Sequence, residues 1–126
     1  MTTCHTLNCD PTAPQQARAW AQGQLASAPA AASIPPTLVH DVLLCVSELV
    51  TNALQASCVY ATVDLVISAG RVRIVVADDG EGWPTPQRPG PDDPSGRGLL
   101  IISALADSWG VEPSAGSKAV WAELAV

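Results

Sequence analysis

Between Leu38 and Leu54 the apolar residues Leu38, Val39, Val42, Val46, Leu49, Val50, Ala53 and Leu54 recur at three- and four-residue intervals. That spacing predicts one apolar face of an amphipathic helix. The helix opens on Pro35 and Pro36, with Thr37 or Ser33 as its candidate cap, and is expected to fade near Ala56. An earlier helix is expected from near Pro14, capped by Thr12, with Ala17, Trp20, Ala21 and Leu25 as its stripe. The Ala- and Pro-rich segment from Ala28 to Pro36 is a connection. From Val59 to Ser68 the period changes to two, with Val63, Leu65 and Ile67 against Thr62, Asp64 and Ser68. Alternation resumes from Arg71 to Ala77, so the pair is a hairpin turning at Ala69-Gly70.

The second strand runs into Asp78-Asp79-Gly80-Glu81-Gly82 and then a proline-rich run from Trp83 to Ser95, long for a connection and suited to a lid. Gly96-Arg97-Gly98 leads into an apolar helix from Leu99 to Ala106. Trp109 to Glu112 and Lys118 to Val126 close the chain as two strands, with Val120, Ala122 and Leu124 on one side of the last and Trp121 and Glu123 on the other. Strands that alternate, grouped in pairs between helices, predict a sheet covered on one face. The expected fold class is an α/β two-layer sandwich with a mixed, mostly antiparallel sheet. It forms one domain from residue 13 to 126 behind a flexible leader of residues 1–12.

Composition narrows the picture. The 126 residues are 48% hydrophobic and 14% charged, which is the balance of an ordered domain with its own core. There is no Phe, so the core is aliphatic. A net charge of −6 without a basic run argues against direct nucleic-acid binding or an anionic membrane as partner. No apolar stretch is expected to span a membrane, and Met1 to Asp10 lack the charge and apolar run of a signal peptide, so a cytoplasmic location is expected. Cys45 and Cys58 are expected as free thiols. Cys4, His5 and Cys9 form either a metal contact or, since no paired ligand spacing is present, part of a mobile tail.

The candidate chemistry begins on the central helix. Glu48 and Asn52, four residues apart and off the apolar face, project from one side of it, with Asp41 and Cys45 continuing the stripe. A carboxylate one turn from a carboxamide suits a site that holds a cation and orients a hydroxyl; it also suits a plain solvated face. Asp78 ends a strand ahead of Gly80 and Gly82, where glycines permit positive φ or the close approach of a flat ligand, and a carboxylate can accept from an exocyclic amine. An ordinary acidic turn is the alternative. Gly96 and Gly98 flank Arg97 at a helix start, where unpaired N–H groups favour phosphate.

Taken in order, Ser-Glu-Leu-Val-Thr-Asn-Ala, Asp-Asp-Gly-Glu-Gly-Trp and Gly-Arg-Gly-Leu followed by Ala-Leu-Ala-Asp-Ser-Trp-Gly resemble the N, G1 and G2 boxes of the Bergerat-type (GHKL) ATP-binding fold. The compact length and the ending Val-Trp-Ala-Glu-Leu resemble the bacterial anti-sigma-factor serine/threonine kinases. The resemblance covers the chain from Ala13 onward. It implies ATP and Mg²⁺ as cofactors, with Asn52 on the metal, Glu48 as general base or orienter of the attacking hydroxyl, and Asp78 on the adenine amine. Gly80 and Gly82 would shape the pocket, and Gly96, Arg97 and Gly98 would face the phosphates. It implies a sigma factor and an antagonist protein as partners, with a homodimer as a further expectation. A non-catalytic ATP-dependent binding module and an ATP hydrolase are the alternatives. The chain departs from the pattern at Gln55 and Ala56, where many relatives have a basic residue and a His, in a third glycine box reduced to Gly116-Ser117, and in a short lid whose one basic residue before Arg97 is Arg88.

Overall fold

The structure is a computed structural model that describes residues 1–80, 94–114 and 117–125. Five strands and three helices follow in the order β1 (Thr2–Asn8), α1 (Ala13–Ser27), α2 (Pro36–Gln55), β2 (Tyr60–Ser68), β3 (Arg71–Asp78), α3 (Pro94–Leu105), β4 (Ser108–Ser114) and β5 (Ser117–Ala125), with a 3₁₀ turn at Ala31–Ser33. The strands form one sheet in the order β1-β2-β3-β5-β4. Every described pairing is antiparallel, so the sheet is not mixed as expected. The two-layer sandwich itself stands.

The helices and one sheet face share a single aliphatic core. Val63, Leu65 and Ile67 of β2, Val72, Ile74 and Val76 of β3, and Val120, Ala122 and Leu124 of β5 are all buried, as alternation predicts. They meet Val42, Val46, Leu49, Val50 and Ala53 of α2, Ala17, Ala21 and Leu25 of α1, and Leu99 and Ile102 of α3. Each buried Val, Leu or Ile among them contributes roughly 1.5–3 kcal/mol through the water it excludes. By length and composition α2 also reaches the range of a membrane span, contrary to the expectation that no stretch would. Its apolar face is spent on the sheet, α1 and α3, as that of a core helix is. The β2–β3 hairpin turns at Ala69-Gly70, where Gly70 takes φ 70°, with Ser68 opposite Arg71.

The first residues are not a flexible leader. Thr2–Asn8 pairs along β2 from Thr2↔Val66 to Asn8↔Tyr60. Leu7 is 2% exposed, and His5 stacks on Trp20 of α1 with ring centroids 5.2 Å apart, so alternate residues of β1 face α1. Beyond β1, Cys9 is bonded to Cys58, just past the end of α2. Cys58 is therefore not a free thiol, and Cys9 belongs to a cross-link instead of a tail or metal contact.

Helix ends differ in detail from expectation. Neither Thr12 nor Pro35, the residues preceding α1 and α2, caps through a side chain. The Thr12 hydroxyl donates to Asp10 instead, and the Asp10 carboxylate accepts the Thr12 N–H at 2.8 Å, which holds that carboxyl below its usual range. Helix α3 begins at Pro94, inside the stretch expected to be irregular; proline suits the first position because it has no N–H to satisfy there.

Candidate functional site

Helix α2 carries Glu48 and Asn52 in its second half, and its end meets the chain just past β3. Both are half-buried, as is Asp41 two turns before Glu48. Burial pushes the Glu48 carboxyl above its usual value. Cys45 does not continue the open stripe: it is fully buried, and burial together with the Asp41 and Glu48 carboxylates pushes its thiol up to about 12. It is a core residue. From α1, Arg18 donates to the Ser47 hydroxyl at 3.2 Å, which ties α1 to α2.

The two halves of the site meet through backbone. The Ala56 N–H donates to the Asn52 carbonyl at 3.2 Å as α2 ends. A Cβ on Gly80 would stand 2.5 Å from the Ala56 carbonyl oxygen, so the chain after β3 lies directly against that last turn. Gly80 is needed for this approach. Its φ is not in the left-handed range, so the positive φ anticipated for the glycine is not the reason. The Gly80 N–H in turn donates to Asp78 Oδ1 at 2.8 Å. Asn52, Ala56, Gly80 and Asp78 thus form one continuous contact path.

Asp78 is 7% exposed, and Lys118 of β5, its register partner, donates to the same Oδ1 at 2.9 Å. Lys118 was not anticipated from the sequence as a site residue. Its signal was there: it shares parity with the buried Val120, Ala122 and Leu124, an inward position for a cation. Asp79 acts elsewhere. Its Oδ1 accepts from the N–H groups of Val59, at 2.7 Å, and Tyr60, at 3.2 Å, which lowers its pKa and fixes the start of β2.

Gly96, Arg97 and Gly98 lie in the first turns of α3, which packs on α2 through a face that includes Leu99 and Ile102. The first N–H groups of a helix have no partner within it, so this end suits phosphate. Gly82 and Arg88 lie outside the described residues, as does Gly116. Among the described residues no cluster of three or more His, Cys, Asp or Glu could cage a metal. A Mg²⁺ ion held by one amide, phosphates and water requires no such cage, so the donor set fits a nucleotide-borne ion.

A family model of the histidine kinase-like ATPase domain matches residues 11–124. No curated protein matches. Among solved structures, the RsbU and RsbW domains of Rv1364c from Mycobacterium tuberculosis superpose with a TM-score of 0.69 at 21% identity. That likeness covers 99% of this chain and 32% of the other, so the chain spans about a third of that structure's length and shares its fold. The match over residues 11–124 implies nucleotide binding, and the chain belongs to the histidine kinase-like ATPase domain family.

Proposed function

We propose that the chain binds ATP with Mg²⁺ and acts as an anti-sigma-factor-type serine/threonine kinase that phosphorylates an antagonist protein. The observation that supports this reading is the path from the Asn52 backbone through Ala56 and Gly80 to Asp78, which brings the end of α2 against the end of β3. Asp78 would accept the adenine amine, and the Asn52 side chain would hold Mg²⁺. Backbone N–H groups at the start of α3, with Arg97, would face the phosphates. Glu48, its carboxyl raised by burial, would take the proton of the attacking hydroxyl. Bound ATP supplies the phosphoryl group; the protein supplies position and electrostatics.

Phosphorylation would add charge to the antagonist and weaken its hold, returning the kinase to a sigma factor. A cytoplasmic location goes with this reading, and it must accommodate the Cys9–Cys58 pair, since cytosolic thiols are mostly kept reduced. The test is transfer of labelled phosphate from ATP to candidate antagonists, with Glu48→Ala in parallel. Equal labelling by both proteins would remove Glu48 from the mechanism.

A second reading, a non-catalytic module whose ATP-bound shape regulates a partner, draws on Gln55 and Ala56. The position where many relatives have His is here a small residue in backbone contact with Gly80. ATP binding that requires Asp78, without labelling of any partner, would favour it. Release of phosphate by the isolated chain would favour a hydrolase instead.

A further inference from the structure

Lys118 is the one lysine in the chain; the other five basic side chains are arginine. It is also among the largest fully buried side chains, 1% exposed. Lysines serve solubility on most protein surfaces and are almost never buried without a partner. Here none has been placed on the surface, and the single copy lies in the core against Asp78, with Nζ 2.9 Å from Oδ1.

Stability alone does not account for the choice. A buried ion pair is often no more stabilising than well-packed apolar residues of similar volume, because two charges have to be stripped of water. What the lysine changes is which atom of Asp78 remains available. Oδ1 accepts from the Gly80 N–H at 2.8 Å and from Lys118 Nζ. Oδ2 meets no donor among the described residues, in a side chain that is 2% exposed.

We propose that Lys118 is a positioning residue for the nucleobase: by occupying Oδ1 it leaves Asp78 one free oxygen, and so selects adenine over guanine. The proposal rests on the nucleotide reading above. Adenine offers a single donor, the 6-amino group, on the edge that would meet Oδ2. Guanine offers two adjacent donors, N1–H and the 2-amino group, which a carboxylate receives best with both oxygens. With Oδ1 taken, one guanine donor loses its partner, a loss worth about tenfold or more in affinity. Lys118 also keeps Asp78 oriented and paired in a nearly dry setting.

The test is calorimetric titration of the wild-type chain and Lys118→Met with ATP, GTP and purine riboside triphosphate, which lacks the 6-amino group. Wild type is expected to prefer ATP at least about tenfold over both; in Lys118→Met the preference over GTP is expected to shrink to within about threefold while that over purine riboside triphosphate is kept. A merely structural role would lower all three affinities together and keep the preference over GTP, and that result overturns the proposal while leaving the nucleotide reading intact. If wild type binds none of the three, the nucleotide reading itself fails and takes this proposal with it. Should Lys118→Met not fold, wild-type protein labelled with ¹⁵N-lysine gives a single side-chain resonance. Adenosine is expected to shift it and ribose 5-phosphate to leave it in place; no shift with adenosine overturns the assignment.

Discussion

Gly80 and Ala56 touch so closely that a methyl group on residue 80 would lie 2.5 Å from the Ala56 carbonyl oxygen. The contact joins the loop after β3 to the last turn of α2. Gly80→Ala therefore has to push the two apart, at a cost of about 1–3 kcal/mol in stability as for other overpacked sites. Because the displaced loop positions Asp78, ATP affinity is expected to fall at least about tenfold. Thermal melts and calorimetry on the same variant would check both. Unchanged binding would mean that the path from Asn52 to Asp78 does not organise the site.

Glu48 links the proposed chemistry to pH. Burial raises its folded-state pKa, so ionising it in the folded chain is unfavourable. Its stabilising contribution is present below the unfolded value, about 4.3, and is lost as pH rises through the raised folded value. Glu48→Gln, which cannot ionise, should melt higher than wild type at pH 7, and the gap should close as pH falls towards 4. The same variant should lose about 10²–10⁴-fold in phosphoryl transfer if Glu48 is the general base. Melting curves across pH, paired with labelled transfer, read both effects.

Asn52→Ala is expected to weaken ATP binding in the presence of Mg²⁺ by about tenfold while leaving binding of metal-free ADP within about threefold of wild type. Titrations with and without chelator check this. Equal losses in both would place Asn52 outside the ion site.

Ser57 follows α2 with φ 61°, the left-handed conformation that glycine adopts without penalty, and its N–H donates to the Leu54 carbonyl at 3.0 Å. Ser57→Gly should stabilise the chain by about 1 kcal/mol, since an L side chain in that region costs roughly 1–2 kcal/mol. Denaturant unfolding would measure it.

Much of this architecture is legible in the sequence. The three- and four-residue spacing from Leu38 to Leu54 gives α2, and the two-residue alternation around Ala69-Gly70 gives the hairpin, because burial of one face imposes those periods. Glu48, Asn52 and Asp78 stand out in the sequence as candidates by residue type and spacing. What was hidden depends on partners distant in the chain. Strand β1 has one well-buried apolar residue, Leu7, and is covered instead through the stacking of His5 on Trp20, which no local pattern reveals. Cys9 and Cys58 are 49 residues apart, and only the placement of β1 brings them together. Lys118 reads as an ordinary polar strand start until its inward parity is set beside Asp78 in the neighbouring strand.

The Cys9–Cys58 bond encloses α1, the 3₁₀ turn and α2 in a covalent ring. A protease that cuts once anywhere between those cysteines yields a nicked molecule whose pieces stay attached, with β1 still tethered to the segment that enters β2. Only a reductant lets the fragments separate, so gels run with and without it would display the ring directly.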